Sequence, residues 1–168
     1  MSGADQVRAA VRVELPPAEA FEAFTAEIDQ WWRRGRKYRV AGTRAEGSIR
    51  LEPGVGGRLY ETFATSSGAQ KTVQLGEVLV WQPPARLLLR WRNVNFAPGE
   101  STEVEVEFAP SGAAATLVTV THRGWSQVRP DHPARHGLEP APFLRMLGLW
   151  WGDLLTALRQ HGAPKPGA

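Results

Sequence analysis

From residue 44 onward, apolar and polar positions alternate with a period of two in six stretches, residues 48–52, 58–64, 72–81, 86–92, 102–108 and 116–123. That period sends successive side chains to opposite faces of a strand. It is cleanest at Val104, Val106 and Phe108 against Glu103, Glu105 and Glu107. One buried and one wet face imply an antiparallel sheet covered on a single side. The separators are short and contain Pro53-Gly54, residues 66–68, Pro83-Pro84, Pro98-Gly99 and Ser111-Gly112, so successive strands are expected to pair as antiparallel neighbours. A seventh strand comes first, over residues 7–14, where Val7, Ala9, Val11 and Val13 alternate with Arg8, Arg12 and Glu14.

Elsewhere the pattern is helical. Pro16 and Pro17 stop the first strand, and Pro17 suits a first helical position because its missing N–H would be unpaired there anyway. A short helix burying Ala20, Phe21, Phe24 and Ile28 follows; Trp31 and Trp32 close this segment, and Arg33, Arg34, Arg36, Lys37 and Arg39 read as a polar exit loop. Residues 126–140, with Pro130, Pro133 and Pro140, read as another loop. Phe143, Met146, Leu147, Trp150, Trp151, Leu154, Leu155 and Leu158 then recur with a 3.6-residue period, predicting a helix over 142–160 that Gly162 ends, with a fraying tail at 163–168. No other element has enough apolar surface to cover the sheet. The expected architecture is α+β: about seven antiparallel strands in a curved sheet wrapped around a long C-terminal helix, with two short helices after the first strand. Residues 1–168 are read as a single domain with its core over 7–160.

Composition narrows the function. With 42% hydrophobic and 22% charged residues the chain is in the globular range, and its lack of cysteine removes disulfides, thiol catalysis and thiolate metal sites. A cytoplasmic location fits. Arg8, Arg12 and Glu14 interrupt the first apolar stretch, so it is neither a signal-peptide core nor a membrane span. Net charge is only +3, with 17 arginines and 3 lysines, which does not indicate nucleic-acid binding.

Several motifs occur in a definite order: Phe21-x-x-Phe24 before Trp31-Trp32; the run Leu51, Glu52, Pro53, Gly54, Val55, Gly56, Gly57, Arg58 with Glu61; Gly76-Glu77-Val78; Pro83-Pro84; Leu87 and Trp91; then residues 104–108, Thr116 and His122-x-Gly124-Trp125. This series resembles the homologues of the activator of heat-shock-protein-90 ATPase, of the C-terminal-domain type, within the START-like (SRPBCC) superfamily. The resemblance runs from about Val7 to Leu158 and implies a helix-grip fold. The superfamily includes lipid carriers, hormone receptors, aromatase/cyclase enzymes and co-chaperone modules, so the fold alone does not select among these functions.

Candidate chemistry is sparse. Gly54, Gly56 and Gly57 could suggest a phosphate loop, but strand and not helix follows them, which favours a tight turn. His132 and His136 have a metal-pair spacing, but Pro133 lies between them and no third ligand is evident. His122 either hydrogen-bonds to pin its strand end to the following loop or contacts a ligand. Glu61, on a face shared with Leu59 and Phe63, is either a pocket carboxylate with a raised pKa or an edge residue paired with an arginine. The seven tryptophans are many, and indole rings line pockets for planar apolar ligands. Trp91, Trp125 and Trp150 are the cavity candidates, while Trp31 and Trp32 would close its base.

On the last strand before the acidic hairpin, Leu87, Leu89 and Trp91 share one side, with Arg90 and Arg92 directed to water. Phe143, Met146 and Trp150 lie at i, i+3 and i+7, so Trp91 is expected to face Met146 and Trp150 across a cavity. No Ser-His-Asp order, carboxylate pair or cofactor fingerprint stands out, and no catalytic residue, cofactor or metal is assigned. The expected function is binding of a small hydrophobic or aromatic molecule by Glu61, Trp91, His122, Trp125, Phe143, Met146 and Trp150. The alternatives are an interaction module that contacts a chaperone or another protein and, less favoured, a cyclase-like enzyme using His122 or Glu61.

Overall fold

The computed structural model describes residues 5–44, 46–92 and 95–164. The chain begins with strand β1 (Gln6–Val13) and two short helices, α1 (Pro17–Thr25) and α2 (Ile28–Trp31). Six strands follow: β2 (Ser48–Leu51), β3 (Arg58–Ala64), β4 (Gln70–Gln82), β5 (Arg86–Trp91), β6 (Thr102–Pro110) and β7 (Thr116–Arg123). Helix α3 (Pro140–Gly162) closes the chain. All seven strands form one antiparallel sheet in the order β1-β7-β6-β5-β4-β3-β2. Strands β2 to β7 are thus a meander, and β1 completes the sheet along the free edge of β7.

Strand parity holds closely. Val104, Val106 and Phe108 on β6 are buried and Leu87, Leu89 and Trp91 on β5 join them, whereas Glu103 and Glu105 of β6 meet Arg86 and Arg123 on the opposite face. The register slips at Leu59/Tyr60 and at Val78/Val80, two irregularities that bend and twist the sheet. The result is a curved sheet gripping a helix, the helix-grip fold.

Helix α3 buries Phe143, Leu144, Leu147, Trp151, Leu154, Leu155 and Leu158 and runs alongside β1. Its approach is close because small residues face the strand. A Cβ at Gly148 would lie 2.9 Å from Val7 Cγ2, and one at Gly162 2.8 Å from Val13 Cγ1. Between those contacts the helix rises about 21 Å and the strand advances about 20 Å, so the two stay in step. The helix starts two residues before the expected 142. Pro140 occupies its first turn, where no amide partner is needed.

Residues 126–140 are more ordered than a polar loop. They contain two 3₁₀ turns, Trp125–Gln127 and Pro133–Arg135, and His132 and Arg135 are buried among them. Among the described residues no helix is long and apolar enough to cross a membrane.

Candidate functional site

A cavity of about 460 Å³ opens between the sheet, α3 and the 125–136 segment. Its wall includes Trp91, His122, Trp125, Phe143, Met146, Leu147 and Trp150, with Arg36, Lys37, Ala134, His136 and Leu149 completing the lining. That volume lies in the range of small-molecule sites. Six of the seven residues expected at a ligand site therefore border one space.

Each wall follows from local structure. Trp91 pairs with Thr102 across β5 and β6, and His122 on β7 pairs with Val104, so the four side chains share one face of neighbouring strands. On α3 the spacing 143, 146, 150 turns Phe143, Met146 and Trp150 to that face. Gly124, at φ 95°, lets the chain leave β7 and fold Trp125 inward, where its ring meets His122 at 5.0 Å and Phe143 at 4.7 Å between centroids. Trp91 and Trp150 border the same space but also touch at one side of it, their centroids 6.4 Å apart. Trp32 packs behind them against Trp91, Trp150 and Trp151, and Trp31 packs against Trp32.

His122 is fully buried, and both ring nitrogens are engaged. Trp151 Nε1–H donates to His122 Nδ1 at 3.1 Å. An indole nitrogen only donates, so Nδ1 is unprotonated and the proton sits on Nε2. That N–H faces Thr102 Oγ1 at 2.7 Å, and the threonine hydroxyl points on to the Trp91 carbonyl at 3.4 Å. Burial pushes the His122 pKa down to about 3, so the ring is neutral at physiological pH. The expected pin between strand end and loop is instead a clamp between the sheet and α3, on a residue that also borders the cavity.

Glu61 lies outside this cavity, and neither reading offered for it describes its role. Its carboxylate is buried beneath the 33–44 segment, where Oε2 accepts from Val40 N at 2.8 Å and Oε1 from Ala41 N at 3.1 Å. It anchors a loop through backbone amides, with no arginine involved.

The basic run is likewise structural in part. Arg39 is buried, donating to Asp29 Oδ1 at 2.7 Å and to the carbonyls of Trp32, Asp29 and Arg33. Burial pushes the Asp29 carboxyl up, but the Ile49 N–H, then Arg39 and Arg34, outweigh it and hold the group below the usual carboxylate range. Arg33 donates to Asp153 O on α3. This segment thereby carries Arg36 and Lys37 to the cavity mouth. Arg92 does not simply face water: it donates to the carbonyls of Phe96, Ala97 and Glu100 and shapes the turn after β5.

His132 and His136 do not converge. His132 is buried, accepts from Ala134 N through Nδ1 and directs Nε2 at Asn95 O, 3.1 Å away, whereas His136 is exposed in a left-handed conformation. Among the described residues no group of three His, Asp or Glu side chains is placed to hold a metal ion. The glycine run is a turn: Gly56 N donates to Val78 O and Val78 N to Gly57 O, docking it on β4. A Cβ at Gly57 would fall 2.2 Å from the Glu52 carbonyl oxygen, which accounts for the glycine.

Arg135 escaped sequence reasoning. It is buried, donates to the carbonyls of Trp125, Val128 and Arg129, and lies 5.6 Å from the Phe143 ring centroid. It therefore holds the segment that forms one cavity wall. The available signal was an arginine within a proline-spaced loop, which composition does not distinguish from a solvated one. A second cleft, about 530 Å³, lies at the far end of α3 and is lined by Glu14, Glu19, Glu22, Glu27 and His161. Its four glutamates suit an uncharged apolar guest poorly, although Leu15, Ala23, Ala163 and Pro164 also line it.

The profile of the family described as Activator of Hsp90 ATPase homolog 1-like protein matches residues 14–141. No curated protein matches the chain by sequence. Among solved structures, the Aha1 dimer from Colwellia psychrerythraea superimposes with a TM-score of 0.62 at 15% identity, covering 96% of this chain and 98% of that one. An HSP90 activator from Plasmodium falciparum gives 0.60 at 18% identity over 94% and 95%. An anthrahydroquino-gamma-pyrone synthase gives 0.56 at 28% identity over 93% and 96%.

Proposed function

Since the chain belongs to the Activator of Hsp90 ATPase homolog 1-like family, we propose that its cavity between sheet and C-terminal helix binds a small hydrophobic or aromatic molecule. The observation that carries this reading is the lining: indole, phenyl, thioether and aliphatic groups from three elements around about 460 Å³ of space. Such a volume suits a guest of two to four fused rings, and stacking against indole faces favours flat ones. Trp91, His122, Trp125, Phe143, Met146 and Trp150 are the proposed contacts. Glu61 is not among them, because both its oxygens hold loop amides.

The relation to an anthrahydroquino-gamma-pyrone synthase raises an enzymatic version of the same site. Proton transfer needs a group whose pKa lies near the working pH. His122 has both nitrogens engaged and a pKa near 3, which favours binding over chemistry. The relation to HSP90 activators raises the other reading, in which the exterior of the domain contacts a chaperone.

Titration of intrinsic tryptophan fluorescence with fatty acids and flat aromatics separates these. Saturable quenching or a shift in emission by some aromatic, lost in Trp150→Ala, is the expected result. No response to any of them, together with co-purification of a chaperone, would replace this reading with the exterior-contact one.

A further inference from the structure

A guest that fills the cavity must pass between its walls, and those walls are not held alike. The sheet and α3 are fixed by their own backbone ladders. The 33–44 segment is tied on two sides: Glu61 takes the amides of Val40 and Ala41, Arg39 is buried against Asp29, and Trp150 Nε1–H donates to Lys37 O at 2.7 Å.

Residues 125–136 are held chiefly by bonds inside the segment. Val128 N donates to Trp125 O, His132 N to Arg129 O, Arg135 N to His132 O and His136 N to Pro133 O. The Arg135 guanidinium joins three more of the segment's own carbonyls. Among the described residues a single backbone bond leads to another element, from Trp125 N to Asp5 O at 3.3 Å, and side-chain ties reach Asp5, Asn95 and Glu100. A piece braced within and lightly tied without opens as a unit. Its two ends are marked by Gly124 at φ 95° and Gly137 at φ 72°, where glycine absorbs backbone rotation most easily. Trp125 adds an independent sign, because its Nε1–H is buried with no acceptor among the described residues. An unpaired buried donor makes the closed position costly, and lifting the segment gives the indole to water.

Building on the binding role proposed for this cavity, we infer that residues 125–136 are its gate. The segment swings as one piece on Gly124 and Gly137, draws the Trp125 ring away from His122 and Phe143, and lets guests in and out past it. The 33–44 segment stays in place.

Indole hydrogen exchange tests the motion without any ligand. Trp31, Trp125 and Trp151 are each 3% exposed or less. The Trp125 Nε1–H is expected to exchange about tenfold faster than the other two. Arg129→Gln, which removes the exposed pair with Glu100 at 3.5 Å, should speed that exchange about threefold and leave Trp31 and Trp151 unchanged. Stopped-flow fluorescence with 2-methylanthraquinone, an uncharged three-ring probe, then reads passage. Arg129→Gln loosens the closed state equally with and without a guest, so association and dissociation should both quicken about threefold while affinity stays within about twofold. Asp153→Ala, which releases Lys37 and Tyr38 of the opposite wall, should leave both rates unchanged. Trp125 exchange as slow as that of Trp151, or rates that respond to Asp153→Ala and not to Arg129→Gln, overturns the gate while the cavity reading stands. Failure of 2-methylanthraquinone to bind any of these forms overturns both.

Discussion

Trp150 and Trp151 are neighbours on α3 in opposite situations, and truncating each measures whether the cavity is open. Trp151 is 1% exposed, packed against Trp32, Trp91 and His122, and donates to His122 Nδ1. Trp151→Ala removes a full core indole, about 3–5 kcal/mol, and strands a buried acceptor, for a total of about 5 kcal/mol. Trp150 is half-buried, already borders empty space, and donates to Lys37 O at 2.7 Å near the surface, where water replaces the bond. Trp150→Ala should cost about 2 kcal/mol. Urea unfolding followed by far-ultraviolet circular dichroism reads both without depending on the indoles removed. With a slope of about 2 kcal/mol/M, the midpoints should fall by about 1 M for Trp150→Ala and about 2.5 M for Trp151→Ala. Should the latter not fold, Trp151→Phe keeps the packing, loses the donor and should cost about 1–2 kcal/mol. Equal losses for the two alanine variants would mean that Trp150 is as fully packed as Trp151, and would refute the open cavity.

Three further outcomes follow from the same geometry. His122 binds its proton far more weakly folded than unfolded, so stability is complete above about pH 6.5 and falls by up to one proton's slope as pH drops toward 3, up to about 5 kcal/mol in all; in His122→Gln the slope of urea stability between pH 6.5 and 5 should shrink by about one proton. Glu61→Gln leaves one oxygen for two amide donors and turns an NH₂ toward the second, so the melting transition should reflect a loss of about 1–3 kcal/mol and hydrogen exchange at Val40 or Ala41 should accelerate. Arg39→Ala leaves three carbonyls without their donor, while Asp29 keeps Ile49 N–H and Arg34, and should cost about 2–4 kcal/mol by urea unfolding while weakening ligand binding through the loosened cavity mouth.

The parts of the fold legible in the sequence were those governed by periodicity. The parity of Leu87, Leu89 and Trp91 and the spacing of Phe143, Met146 and Trp150 each describe one element, and two apolar faces of one covered sheet must meet. That logic brought Trp91, Phe143, Met146 and Trp150 to one cavity, and the His122-x-Gly124-Trp125 motif added the other two. It gave less access to polar side chains, whose roles depend on partners distant in the chain. Glu61 shares its face with Leu59 and Phe63, but whether its carboxylate meets a pocket, an arginine or backbone amides depends on how the 33–44 segment folds back, 20 residues away for Ala41. Arg39 and Arg135 have the composition of solvated loops and are buried because carbonyls happen to converge on them. His122 was visible as a motif residue, but its link to Trp151 joins positions 29 apart on different elements.

The most direct test of the binding claim is the indole region of a ¹H–¹⁵N spectrum during titration with anthraquinone-2-carboxylate. The seven tryptophans report from separate places: Trp91, Trp125 and Trp150 at the cavity, Trp31 and Trp81 away from its lining, the latter against Phe21. Occupation of the cavity predicts saturable shifts at Trp91, Trp125 and Trp150 while Trp31 and Trp81 stay fixed. Shifts centred on Trp81, or none at any indole under saturating ligand, would contradict an open internal site.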